Sequence, residues 1–431
     1  MKSKNNKIAQ ILVLLVFWGG ILISCNKSSD FEIGSTGLPV IFINTPEESD
    51  INDKDKWMKG IDISIYSSEG ELLYHSKDSQ IKGRGNSTWR GENKAWRKYK
   101  NPYTLKLSSK ESILGMPKNK RWILLANYFD RTLLRNDVAF HIASLTNMKW
   151  TPRGRFVELV LNGRHQGNYY LCEQIRVDKK RVAIEKMKPE DTSGIELTGG
   201  YLMELDISYD RKNKFKSTLG LPYMFKSPEE ELQKEQLDYF RNYIDTLETI
   251  LTTDSLLLAH KYNDYINVES FVDWWLVNEL MQSIEAQYPK SVYMYKDRGG
   301  KLTMGPIWDY DMATFRPKDV NHFECTGNIY FPYLFKDRYF INNVKERWKV
   351  LHDSFLTVPD YISSMAKTLK ESNRIDKELW PGPYDYKFHG LIKQEIKSNA
   401  DDNLNYDEAI ELMIKTLIQR VEWMDKEINK L

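Results

Sequence analysis

The run RFVELVLNGRHQGNYYLCEQI, from Arg155 to Ile175, constrains the fold more than any other stretch of this chain. Asn162 and Gly163 form a dipeptide that accepts the positive φ angles a two-residue hairpin turn demands, so the flanking apolar runs must be antiparallel strands. The same grammar begins earlier. From Leu38, PVIFINT and GIDISIYSSEGELLYHS are short apolar runs separated by Pro, Asp, Gly and Ser, and residues 38–79 read as a small N-terminal β layer. WILLANY reads as a strand leading into an amphipathic helix from about Arg131 to Leu145, buried through Leu134, Val138, Phe140 and Ala143. One turn apart on that helix, Arg131 and Arg135 are placed to face a phosphate or a carboxylate together. GGYLMELD, Gly199 to Asp206, is a further strand with Glu204 and Asp206 on one side. The second half of the chain changes period. Helices are expected from Pro228 to about Thr252, from Val268 to Ala286 with Asn267 as N-cap, around Arg347 to Leu351, from Pro359 to Ser372 and from Asp407 to the end. The class is α+β, with a β-rich N-terminal part and a mainly helical C-terminal part.

At 431 residues, 41% hydrophobic and 28% charged, the chain has enough apolar surface to bury a large core and is not a disordered polymer. Its 62 basic and 60 acidic residues leave a net charge of +2, so nothing global points to nucleic acid. The N-terminus needs separating from the fold. Lys2, Lys4 and Lys7 precede an apolar run from Ile8 to Ile23, as in a secretory signal. The run closes on Leu22-Ile23-Ser24-Cys25, which resembles the bacterial lipoprotein box. That resemblance implies removal of residues 1–24, acylation of Cys25, a polar tether over residues 25–37, and a lipid-anchored place in the cell envelope, expected at the outer membrane. Cys172 and Cys325 are then too few for a disulfide framework. The seven His residues make no HExxH or paired Cys/His spacing, so zinc has no support.

Chemistry concentrates in GPIWDYDMATF, Gly305 to Phe315. The strand SVYMYKD, a turn at Arg298, Gly299 and Gly300, and the return KLTMGPIW form a hairpin expected to deliver Asp309 and Asp311 side by side at a strand end, with Trp308 and Tyr310 on the other face. Paired hard oxygens of this kind suit Mg²⁺, which keeps waters and substrate phosphates in its remaining positions. Upstream, IKGRGNSTWRG places Arg84 and Asn86 in a glycine turn whose backbone can approach a ligand, although the GK[ST] of a P-loop is missing. Lys106 lies within the strand YTLKL after that turn, where protein kinases carry a phosphate-pairing Lys. Glu173 is a candidate ion-pair partner for such a Lys. Glu285 ends the apolar helix 24 positions before Asp309, and the intervening hairpin returns the chain towards it.

Taken together, GRGNSTW, PYTLKL, LLANYFDRTLLRN, LVLNGRHQGNYYLCEQI, GGYLMELD and GPIWDYD resemble the CotH family of spore-coat-type atypical kinases over about Leu38 to Phe315. The resemblance implies an atypical protein-kinase-like fold, here over residues 80–431, that transfers phosphate from ATP to protein Ser/Thr hydroxyls with Mg²⁺ or Mn²⁺. It implies Asp309 as metal-binding Asp, with Asp311 beside it, Lys106 as the phosphate-contacting Lys, and Glu173 and Glu204 among its supporting residues. Three positions depart from the pattern. Where the family carries an Asp that orients the nucleophile and an Asn that helps hold metal, this chain has Glu285 and Ser291, and Met312 replaces the Gly that usually follows. The alternative is therefore a catalytically degenerate surface lipoprotein that binds a glycan or another protein. A glycosidase pair would need two acids about 5 to 9.5 Å apart across a sugar-sized cleft, whereas adjacent acids suit a metal better.

Overall fold

A computed structural model describes residues 31–86, 88–89, 100–229, 231–381, 400–401 and 403–431. The signal segment, Cys25 and the start of the tether lie outside the described residues. Strands β1 (Val40–Asn44), β2 (Met58–Tyr66), β3 (Leu72–Gly83), β4 (Tyr103–Glu111), β5 (Asn119–Leu125), β6 (Gly154–Leu161) and β7 (Arg164–Glu173) close into a barrel in the order β1-β2-β3-β4-β5-β7-β6. All neighbours are antiparallel except β1 and β6. Period-two alternation fills the interior with Ile41, Ile43, Ile63, Ile65, Leu105, Leu107, Trp122 and Leu124. Closure leaves no open sheet edge, which an isolated layer of these apolar strands would have.

The Asn162-Gly163 turn joins β6 to β7 with φ of +49° and +71°, as its sequence requires. The expected boundary at residue 79 falls inside β3, which pairs with β2 and, through Gln80–Gly83, with β4. Residues on both sides of it therefore build one barrel. The tether is also shorter than expected at its C-terminal end. Residues 31–37 form turns, and Phe31 is buried against Val40 and Val160 because an apolar seat is available there.

A second sheet has the order β12-β11-β8-β10-β9, made of β8 (Tyr201–Leu205), β9 (Lys214–Lys216), β10 (Pro222–Ser227), β11 (Val292–Lys296) and β12 (Thr303–Met304). Around it pack α1 (Arg135–Ser144), α3 (Lys234–Thr252), α5 (Val268–Met281), α7 (Arg338–Phe355), α8 (Val358–Leu379) and α9 (Tyr406–Lys430), with α8 also seated on β7. Short helices α2 (Gly194–Leu197), α4 (Asp254–Leu258) and α6 (Phe331–Leu334) connect them. α5 is buried on all sides through Phe271, Trp274, Trp275, Leu276, Val277, Leu280 and Met281; each such side chain stabilises the fold by about 1.5–3 kcal/mol. Asn267 caps it, its side chain accepting from the Ser270 amide at 3.2 Å. The helix stops at Met281, five residues before its expected end. Gln282 turns left-handed at φ +52° and binds the Arg316 backbone on both sides, donating to its carbonyl at 2.9 Å and accepting from its amide at 2.8 Å.

Arg131 and Arg135 do not form the expected pair on α1. Arg131 precedes the helix and donates to the Leu404 carbonyl, while Arg135 is buried between Asp130 at 2.5 Å and Asp401 at 2.7 Å. Two carboxylates hold its guanidinium in the interior, out of reach of a phosphate. Cys172 and Cys325 are free and buried. Among the described residues no helix is long and apolar enough to cross a membrane.

Candidate active site

The outer face of the barrel and one face of the second sheet form two walls of a cleft of about 440 Å³, within the usual range for ligand sites. On the sheet wall, register sets Tyr293 opposite Glu204 and Glu204 opposite Met224. Side chains two residues along share that face, which adds Ser291, Asp206 and Lys226. On the barrel wall Lys82 pairs with Thr104 and Thr104 with Ile123, all pointing away from the barrel interior. The turn after β3 closes one end. Gly85 is left-handed at φ +90°, and a Cβ there would sit 2.2 Å from Thr88 Oγ1, so only Gly fits. This turn brings Arg84 over the Trp308 ring at 5.1 Å and Asn86 to the rim, where Lys54 donates to its Oδ1 at 3.4 Å.

Asp309 and Asp311 reach the cleft, but not from a strand. β12 ends at Met304, and residues 305–310 carry no regular structure. Ile307 is buried, and Tyr310 is fixed by its amide donating to Asn136 Oδ1 and its hydroxyl donating to Asn278 Oδ1, both at 2.9 Å. Between these anchors Asp309 adopts φ +74°, and Ser291 has φ +56°. Neither residue favours that region, and strain of this sort collects at functional sites. Ser291 Oγ donates to Asp309 Oδ2 at 3.2 Å, and the Ser291 amide donates to Asp206 Oδ2 at 3.3 Å. Trp308, expected on the far face, lines the cleft as well and packs on Phe140 with ring centroids 5.8 Å apart.

The acids sense one another. Burial and the neighbouring Asp309 and Glu285 charges push Asp311 well above the usual carboxylate range. Burial and Asp309 raise Glu285 to about 7, against the pull of Lys290, whose amine lies 2.7 Å from Glu285 Oε1. Glu204 goes the other way. Burial alone would raise it, but Lys226 at 3.0 Å and the Tyr293 hydroxyl at 2.6 Å hold it below its ordinary value. Asp309 and Asp311 would offer oxygens to a hard cation, and a divalent ion there would relieve the charge repulsion that, together with burial, raises Asp311. No His or Cys lines the cleft among the described residues, and no three His, Cys, Asp or Glu side chains form a complete cage there. That arrangement fits Mg²⁺ or Mn²⁺ sharing its coordination with phosphate oxygens, and does not fit zinc.

Of the residues singled out in the sequence, Arg84, Asn86, Glu204, Glu285, Ser291, Asp309 and Asp311 all line this one cleft. Lys106 and Glu173 do not. Lys106 sits on β4 two residues beyond Thr104, its amine among the like charges of Arg121, Lys120 and Lys59. Lys82 on the adjacent strand lines the cleft instead. Glu173 is wholly buried and holds Arg153 at 2.8 Å, with Arg181 at 3.6 Å, so its partners are arginines outside the cleft. Lys82, Arg211, Lys226 and Lys290 were missed as cleft cations. Lys82 was within reach of sequence reasoning, lying at the end of β3 just before the glycine turn that carries Arg84. Lys226 was not, because its place beside Glu204 depends on the pairing of β10 with β8.

Residues 81–424 match the family described as CotH kinase protein. The chain belongs to the CotH kinase family. That span takes in every residue of the acid cluster, and it continues into α9 past the stretch over which the sequence motifs run. Comparison with curated proteins gives no match.

Proposed function

We propose that this CotH family member is a protein kinase on a kinase-like fold, moving the terminal phosphoryl group of ATP to a protein Ser or Thr hydroxyl. The observation that carries the reading is the convergence of Asp309, Asp311 and Glu285 in one cleft whose other walls bear Lys82, Arg84 and Lys226. Asp309 and Asp311 would hold Mg²⁺ or Mn²⁺, which when bound neutralises charge on the phosphates. Ser291 keeps Asp309 oriented through its hydroxyl. Lys82, Arg84 and Lys226 face the same space and supply the positive charge that phosphate oxygens need. Glu285, about half ionised near pH 7, accepts the proton of the acceptor hydroxyl, and Lys290 stabilises the ionised form. Catalysis of this kind is positioning and charge neutralisation.

Calorimetric titration of the full chain with ATP, with and without Mg²⁺, tests the reading. Binding that depends on Mg²⁺ and weakens about tenfold or more in Asp309→Asn and in Lys226→Ala supports it, since a charge-assisted contact is worth about 1.5–3 kcal/mol. Lys106→Ala leaves the affinity unchanged. No nucleotide binding in the wild type favours the degenerate, binding-module alternative. We further propose that Cys25 carries lipid and fixes the protein to the envelope, on the strength of the Leu22–Cys25 tetrad. Cys25→Ala should release the protein from membranes in fractionation, and unchanged attachment would rule the anchor out. An envelope kinase then acts before or during export, or uses a phosphodonor present outside the cytoplasm.

A further inference from the structure

Asp206 lines the cleft without a task in phosphoryl transfer, and its surroundings are unusual for an acid. It is only 5% exposed. Its neighbours Glu204 and Glu285 each hold a lysine, Lys226 and Lys290, whereas no cation bonds Asp206 among the described residues. Buried carboxylates are ordinarily paired with one. Two backbone amides stand in its place. Oδ1 accepts from the Ser208 amide at 2.7 Å, closing a local turn, and Oδ2 accepts from the Ser291 amide at 3.3 Å, 85 positions away in the chain.

Strand register brings these two residues together. Leu205 pairs with Val292 at the end of the β8–β11 ladder, so the next residues outward are Asp206 and Ser291. Regular pairing stops there, because Ser291 is left-handed at φ +56°. A residue with a Cβ disfavours that region and stays in it only where its surroundings hold it. Ser291 is held at both ends. Its amide donates to Asp206, and its hydroxyl donates to Asp309 Oδ2 at 3.2 Å. A hydroxyl can rotate freely, so the direction in which it donates is set by the backbone that carries it. The Asp309 carboxylate is thus tied through Ser291 to a buried acid on another strand.

We propose that Asp206 is a positioning residue: by gripping the Ser291 amide it keeps Ser291 in the left-handed conformation from which its hydroxyl fixes the Asp309 carboxylate. The effect on metal rests on the reading of Asp309 as a cation ligand; the contact itself does not. Asp206→Asn separates the two jobs of the side chain. Its one carbonyl oxygen stays in the shorter, local turn to Ser208, and its NH2 group then meets the Ser291 amide donor against donor. Crystal structures of the metal-free full chain should show Ser291 leaving φ +56° and its Oγ parting from Asp309 in Asp206→Asn and in Asp206→Ala. A Ser291–Asp309 contact unchanged in both variants would overturn the assignment, whatever the cleft binds. The second arm titrates Mn²⁺ alone into the full chain, with the free ion followed by electron paramagnetic resonance. Asp206→Asn and Ser291→Ala should each weaken Mn²⁺ about tenfold. The double variant should be no weaker than the weaker single one, because both changes remove the same contact. Mn²⁺ affinity undiminished in Asp206→Asn would overturn the positioning role. So would losses that multiply in the double variant, since Asp206 would then act directly, as a ligand or as a charge near Glu285. A wild type that takes up no Mn²⁺ would count against Asp309 as a cation ligand, and the positioning role would then stand or fall on the Ser291–Asp309 contact in the crystals.

Discussion

Glu285 links the electrostatics of the cleft to its pH response. Burial and the Asp309 charge raise it to about 7, and Lys290 holds it down. Phosphoryl transfer that needs ionised Glu285 therefore rises as pH passes about 7. Removing the Lys290 cation raises Glu285 further, so the midpoint for Lys290→Met moves up by roughly one pH unit in a pH–rate profile. A midpoint that stays put, or moves down, contradicts the role given to Glu285. At this scale the sequence was informative where chemistry is local. Asp309 and Asp311 share the cleft, although the strand alternation that suggested so does not operate there. The chain leaves β12 at Met304 and turns left-handed at Asp309, and spacing alone carries no sign of that. Lys106 was misplaced for a related reason. Its strand was read correctly, yet how far along β4 the cleft reaches is set by the opposing sheet.

At the scale of elements, α5 and α9 are joined to the segment that follows the acid pair by one buried charge pair. Arg420 on α9 donates to Glu279 on α5 at 2.8 Å and to the Glu279, Val320 and His322 carbonyls. Glu279 also accepts from the Glu324 and Cys325 amides, both at 2.7 Å. Burial raises Glu279 to about 7 in spite of Arg420. Arg420→Met strands that carboxylate, and urea unfolding at pH 8 should show a loss of about 3–5 kcal/mol. The loss should shrink at pH 5, where Glu279 takes up a proton and no charge is left unpaired. A loss below about 1 kcal/mol at pH 8 would mean that the carbonyl contacts, not the ion pair, join these helices. Elements bounded by their own punctuation were legible: the Asn162-Gly163 hairpin, the β11–β12 hairpin and the Asn267 cap of α5. The ends of α1 and α5 were not. α1 begins where Asp130 accepts from the nearby Arg135 amide, and α5 ends where Gln282 binds the Arg316 backbone, 34 residues on, that folding brings to it.

For the whole molecule, closure was the hidden step. β1 and β6 pair in parallel, Val40 beside Glu158, across 118 positions of chain. No local pattern announces a contact so distant, and a β layer ending at residue 79 was the natural reading without it. Once the barrel closes, its outer face supplies Lys82 and Thr104 to a cleft whose acids come from the other end of the sequence. The α+β class was legible because strand and helix periods segregate along the chain. The most direct measurement is transfer of labelled phosphate from ATP by the full chain with Mg²⁺ or Mn²⁺. The prediction is incorporation into itself or an added protein acceptor, falling by about a hundredfold or more in Asp309→Ala. Incorporation that is absent from the wild type, or equal in Asp309→Ala, would contradict a phosphotransfer role for this cleft.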